Sequence, residues 1–174
     1  MPSRKFFASA SLLLLLLFIP GGCKKTPATA TIDNPGQQAI SVSCNPSSAG
    51  QDTVITVSII ISGNTKEIRV FGLEVTFDTK MFQSQEVTNG SLTGSWAAVD
   101  GNEASPGTLR IGGFVGQGTS IAKNSNGALA NIKFKVTGQA YGNGQQSQAC
   151  ISQYTDDIYA FQPDLACTTF TLKK

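Results

Sequence analysis

No histidine occurs in the 174 residues, and that absence bounds the chemistry before any motif is weighed. Ser-His-Asp and Cys-His catalysis need an imidazole to move a proton, and the same ring is the commonest metal ligand. Eleven carboxylate side chains remain. A glycosidase needs two of them at a fixed separation across a cleft. No motif selects such a pair, so no catalytic residue is assigned and the chain is not expected to be an enzyme. Asp100-Gly101-Asn102-Glu103 begins like a calcium loop, but that loop needs Gly at its sixth position and Glu at its twelfth. Ser105 and Ile111 stand there, and the four residues read as a turn. Asp156-Asp157 with Asp164 is a denser acidic group, read as a solvated loop or as one ordered by calcium. No metal or cofactor is assigned. The Asn89-Gly90-Ser91 sequon reads as a hairpin turn. Sugar binding would need flat aromatics on an exposed face. The candidates are Trp96, which is either a platform or a core-edge residue, and the late tyrosines Tyr141, Tyr154 and Tyr159, which could line a loop-end site.

Charge excludes another class. Arg4 and Lys5 account for the formal +2, so the rest of the chain is balanced, with eleven basic and eleven acidic side chains. A basic patch large enough for nucleic acid is not expected.

Those two basic residues open a leader. An apolar run, Leu12 to Ile19, follows and ends in Pro20-Gly21-Gly22-Cys23. The run is short for a membrane span and is flanked as a signal peptide is. Small residues directly before a cysteine resemble the lipobox of bacterial lipoproteins, with Pro20 where that family usually has Leu. The resemblance implies cleavage after residue 22, acylation of Cys23 and an extracytoplasmic protein anchored in a membrane by lipid. Lys24 after the cysteine, by the enterobacterial sorting rule, implies the outer membrane or cell surface in a cell that has two membranes. Residues 23–38 carry Pro, Thr, Ala and Gly without apolar periodicity. They read as a flexible tether of on the order of 20 Å. About 150 residues remain after the leader, enough for one domain.

From residue 39 onward the hydrophobic period is two. Ile55, Val57, Ile59 and Ile61 alternate with more polar neighbours, as do Phe71, Leu73, Val75 and Phe77. Ala128, Ala130, Ile132, Phe134 and Val136 form one side of another segment, with Leu129, Asn131, Lys133 and Lys135 on the other. Leu109, Ile111 and Gly113 oppose Arg110, Gly112 and Phe114. Shorter candidates are Ile40–Cys44, Phe82–Val87, Gly94–Val99, Gln146–Ser152 and Ala166–Leu172. Turn signals separate them: Gly63-Asn64, Asn89-Gly90, Asp100-Gly101, Pro106-Gly107, Asn126-Gly127 and Asn143-Gly144. The pattern predicts an all-β domain over 39–174, with nine strands in two sheets packed face to face and no helix.

The order of these segments resembles the bacterial cohesin domain from about Ile40 to Leu172. Its carriers are Ser48-Ala49-Gly50-Gln51-Asp52-Thr53 before Val54-Ile55-Thr56-Val57, and Phe71-Gly72-Leu73-Glu74-Val75-Thr76-Phe77-Asp78 with Met81-Phe82 shortly after. Gly107-Thr108-Leu109-Arg110-Ile111 looks like the sixth strand, and Gly127 through Val136 like the seventh. The resemblance implies a nine-stranded jelly-roll β-sandwich, related in fold to carbohydrate-binding modules of families two and three. It also implies a dockerin-type protein partner bound on a face of strands three, five, six and eight. A single module, a lipid anchor and the extra cysteines depart from the usual pattern.

With Cys23 acylated, Cys44, Cys150 and Cys167 remain. In an oxidising compartment a Cys150–Cys167 disulfide would staple the last two strands. A Cys44–Cys167 bridge stays open, because first and last strands are neighbours in the implied fold. Cys44 is otherwise a small buried hydrophobe. Two functions follow. The first is a non-catalytic, membrane-tethered module, with a possible link to polysaccharide breakdown. It would bind a protein through Val70, Gly72, Glu74 and Thr76 on the third strand and Arg110, Gly112 and Phe114 on the sixth. If the third and sixth strands are neighbours, as the resemblance implies, Glu74 and Arg110 could form a cross-strand pair beside Phe114. The alternative is a surface carbohydrate-binding module contacting polysaccharide through Trp96, Tyr154 and Tyr159.

Overall fold

The computed structural model describes residues 38–138, 140–161 and 166–174. The leader, Cys23, the tether up to residue 37, and Asp164 lie outside the described residues. Ten strands follow in order: β1 (Ala39–Asn45), β2 (Ser48–Ala49), β3 (Val54–Ser62), β4 (Val70–Phe77), β5 (Phe82–Asn89), β6 (Ala98–Ser105), β7 (Thr108–Phe114), β8 (Asn126–Val136), β9 (Gln146–Asp156) and β10 (Cys167–Leu172). Strand β2, two residues long, raises the expected nine to ten. One 3-10 turn, Tyr159–Phe161, precedes β10.

Two sheets form, ordered β1-β3-β8-β5 and β2-β10-β9-β4-β7-β6. All pairings are antiparallel except β2 with β10. The period-two faces close on each other as expected. Ile55, Val57, Phe71, Leu73, Val75, Ile132 and Phe134 are each at most 3% exposed. Aromatic rings bridge the two sheets: Phe134 of β8 meets Phe77 of β4 at 4.9 Å and Phe82 of β5 at 5.5 Å, and Phe82 meets Phe170 of β10 edge-on at 5.4 Å.

Four expectations need correction. Within β8, Leu129 is fully buried while Ala128 is only partly so, the reverse of the simple alternation. Ile59 pairs with Ala130 and Ile60 with Ala128, so Leu129 is the extra residue of a bulge that turns it inward. The strand expected at Gly94–Val99 is β6, Ala98–Ser105, so Asp100-Gly101-Asn102-Glu103 is strand and not turn. Its glycine serves packing: a Cβ on Gly101 would lie 2.6 Å from Val87 Cγ2. Asn89-Gly90 is no hairpin turn either. It starts the crossover from β5 in one sheet to β6 in the other, where buried Thr93 donates to the Leu129 carbonyl at 2.8 Å. Asn126-Gly127 lies inside the start of β8. Pro106-Gly107 is the turn it resembles. It joins β6 to β7, and Gly107 has φ +80°, as the third position of a type II turn requires.

The Phe77-Asp78 ending of β4 has a local cause. The Asp78 carboxylate accepts from the Lys80 amide at 2.9 Å and from the Tyr141 hydroxyl at 2.5 Å. Its carbonyl accepts from the amides of Met81 and Phe82. The turn thus delivers Met81 and Phe82, both buried, into the core. The hydrogen bond to Asp78 holds the Tyr141 phenol above its ordinary pKa.

Candidate functional site

The outer face of β9-β4-β7-β6 gathers the residues assigned to partner binding. Residues opposite each other on antiparallel neighbours share a face and stand close. Val70 lies opposite Phe114, Gly72 opposite Gly112, Glu74 opposite Arg110 and Thr76 opposite Thr108. The inward positions between them, Phe71, Leu73, Val75, Leu109 and Ile111, are buried. Strand β6 extends each row: Ala98 stands opposite Phe114, Asp100 opposite Gly112 and Asn102 opposite Arg110. On the other side β9 sets Thr155 beside Gly72 and Gln153 beside Glu74.

Three kinds of surface follow in successive rows. The first is apolar: Phe114 is 52% exposed and Val70 39%, two of the four exposed large hydrophobics among the described residues. The second is a trough over Gly112, which puts no side chain above the sheet. The third is the Glu74–Arg110 ion pair, Oε1 to Nε at 2.7 Å. Arg110 is largely exposed, and an exposed pair contributes little to stability. Its consequence is to fix the two side chains in position beside the trough.

The two glycines differ in what they tolerate. A Cβ on Gly72 would clash with Thr155 Oγ1 at 2.3 Å and come within 3.2 Å of Asp156 Oδ2, so these side chains already roof that position. A Cβ on Gly112 would meet nothing nearer than the Phe71 carbonyl oxygen at 3.7 Å. Asp156 has φ +58°, and its carboxylate accepts from the Thr155 hydroxyl at 2.9 Å. Asp157 faces away to the backbone, accepting from the amides of Arg69 and Val70 at 2.8 and 3.1 Å, and ties the end of β9 to the start of β4. Among the described residues, no three Cys, Asp or Glu converge as a metal site.

The aromatics assigned to sugar binding do not form a platform. Trp96 is buried, packs on Phe71 at 5.7 Å and donates from Nε1 to the Thr119 carbonyl at 3.0 Å. Tyr154 is 1% exposed, in the core opposite Leu73. Both corrections have a packing reason: Tyr154 falls on an inward position of β9, and Trp96, just before β6, packs on the buried Phe71. Tyr159 is exposed, without either proposed companion. Tyr141 is turned to Asp78, so the three tyrosines do not make one site.

Cys150 and Cys167 are opposite each other in the β9–β10 pair and form the disulfide. Among the described residues Cys44 is a free thiol, half-buried rather than fully buried, and it donates to the Pro46 carbonyl. Burial pushes its pKa up to about 11, which leaves it a poor nucleophile.

Asp100, Asn102, Gln153 and Thr155 complete the face and were missed at the level of sequence. The usable signal was Val99-Asp100-Gly101-Asn102, an alternation hidden because Asp-Gly also spells a turn.

A family model for the cohesin domain matches residues 40–158. A search of the curated proteins found no match. Among solved structures, the cohesin of a type I cohesin–dockerin complex from Clostridium thermocellum aligns with TM-score 0.60 and 15% identity, covering 78% of this chain and 98% of the other. A non-cellulosomal cohesin from the archaeon Archaeoglobus fulgidus gives 0.58 and 16%, covering 79% and 92%. The cohesin module of a family 33 glycoside hydrolase from Clostridium perfringens gives 0.58 and 15%, covering 79% and 96%. At such identities the structures speak for the fold. With the family match spanning most of the described domain, the chain belongs to the cohesin domain family.

Proposed function

We propose that this chain is a non-catalytic binding module that takes a dockerin-type protein partner on the outer face of β9-β4-β7-β6. The observation that carries the reading is Phe114 and Val70 side by side in solvent, next to the Glu74–Arg110 pair, on a cohesin sheet. An exposed apolar anchor with charge beside it is the arrangement that protein interfaces favour. Sugar binding has lost its aromatics, since Trp96 and Tyr154 are core residues. A tie to polysaccharide breakdown belongs to the same proposal.

Calorimetric titration of the chain with dockerin modules encoded in the same genome tests the reading. A dockerin that binds should lose about thirtyfold or more in affinity to Phe114→Ala, the effect of a central hot spot, and lose further to Arg110→Glu. Binding unchanged by both substitutions would move the site off this face.

The same proposal holds the domain outside the cytoplasm through a lipid on Cys23, behind the tether of residues 24–38 and on the outer membrane or cell surface of a two-membrane cell. Replacing Cys23 with Ser should release the protein from the membrane fraction or leave its precursor uncleaved. Normal maturation and detergent partitioning of that variant would remove the anchor from the reading.

A further inference from the structure

We infer that the end of the sandwich where the tether enters, carrying Tyr159, Lys66 and Lys123, seats against anionic lipid headgroups of the membrane; this rests on the proposal that Cys23 carries the lipid. The end is one continuous patch. The side-chain amide of Gln38, the last tether residue, donates to the Ala160 carbonyl, and its oxygen accepts from the Thr65 hydroxyl at 3.0 Å. The chain therefore enters the domain between the turn of Tyr159 and the loop of Lys66. Buried Asn64 joins the next loop. Its amide donates to the carbonyls of Lys66 and Ala122 at 2.6 and 2.8 Å, and its oxygen accepts from the Ser125 amide at 2.8 Å. Lys66 and Lys123 are thus held on adjoining loops. Both are exposed, and neither has an ion-pair partner among the described residues. The acidic groups here are engaged: Glu67 pairs with Arg69, and Asp157 accepts from the Arg69 and Val70 amides. Tyr159 is 63% exposed, and an aromatic body with a polar tip is the kind of side chain that membrane interfaces favour.

Chain length selects this end over the other. Only Lys24 to Gln38 separate the lipidated cysteine from the domain, and a linker of that length and composition spans on the order of 20 Å. Strands β8 and β9, each of 11 residues, run about 35 Å from one end to the other. The far end has lysines too, Lys80 and Lys174 just beyond β4 and β10, but they stand a strand length further from the tether. Two lysines and one tyrosine hold a bilayer only weakly from solution. A short linker makes the contact intramolecular, at a millimolar effective concentration, so that weak contacts are enough. Because the strands run between the two ends, a domain seated in this way stands upright and keeps both sheet faces clear of the bilayer.

The test uses the lipidated full chain in vesicles of phosphatidylethanolamine with phosphatidylglycerol, in vesicles of phosphatidylcholine, and in detergent. Vesicle flotation reads the anchor. Acetylation of each lysine, followed by mass spectrometry, reads the seat. Lys66 and Lys123 should react about fivefold or more slowly on the anionic vesicles than in detergent, with the difference shrinking at high salt. Lys80 and Lys174 should react alike in all three. Lys66→Glu/Tyr159→Ala should return Lys123 to its detergent rate without releasing the chain from the vesicles. A chain that floats while Lys123 keeps its detergent rate overturns the seat and leaves the anchor standing. Equal slowing on phosphatidylcholine overturns the choice of anionic headgroups. Slowing of Lys123 in detergent that grows with protein concentration makes a second copy the occupant and overturns the seat. A wild-type chain that does not float overturns the anchor and the seat together.

Discussion

Truncating Phe134 to Ala should lower the unfolding free energy by about 3–5 kcal/mol, the cost of deleting a buried phenyl ring. Phe134 is fully buried on β8, a central strand of its sheet, opposite Ile55 on β3 and Ser84 on β5. Its ring touches Phe77 from the facing sheet and Phe82 from its own, and Phe82 passes the contact to Phe170. Neighbours anchored in two separate sheets cannot all collapse into the vacated space, so the cavity persists and its cost adds to the lost transfer energy. Urea unfolding followed by fluorescence reads the effect as a shift in midpoint at constant slope. Val54→Ala provides the contrast. Val54 is 52% exposed, and its truncation should cost about 0.5 kcal/mol or less. A loss below about 1 kcal/mol for Phe134→Ala would mean that this ring does not join the two sheets.

Removing the Cys150–Cys167 disulfide should cost about 3 kcal/mol. The two cysteines are 17 residues apart in sequence and directly opposite in the β9–β10 ladder. The folded state needs the bridge little, because Phe170 and Leu172 already bury β10 against the core. The stabilisation lies in the unfolded chain, whose freedom a closed loop of this length reduces. A Cys150→Ala/Cys167→Ala variant should therefore show the lower stability with native-like spectra, and reduced wild-type protein should match it. Equal stability of oxidised and reduced wild type would place the bridge outside the energetics of folding.

Much of the architecture is present in the order of residues because a half-buried strand writes itself at period two. That rule alone aligned Phe71, Leu73 and Val75 inward with Leu109 and Ile111, and therefore turned Gly72, Glu74, Gly112 and Phe114 outward together. It failed where a local residue choice has two meanings. Asp100-Gly101 spells a turn, yet Gly101 is small because Val87 packs above it. Leu129 breaks the alternation because β8 bulges there, and a bulge shifts register without any required residue type. Trp96 and Tyr154 look equally suited to a surface or a core until their distance from the facing sheet is known.

The sequence by itself determined the inward and outward faces of the long strands and the cohesin order of segments, and it narrowed the cysteine bridge to two pairings. Each of these depends on residue type and short-range spacing. Tertiary structure alone decided that Glu74 meets Arg110 at 2.7 Å, that Asp100 borders Gly112 across a strand pair, and that Asp156 reaches over Gly72. Those juxtapositions join residues up to 84 positions apart, as from Gly72 to Asp156. They follow from strand register and from one left-handed residue at the end of β9, quantities that packing of the whole sandwich sets and no local pattern encodes.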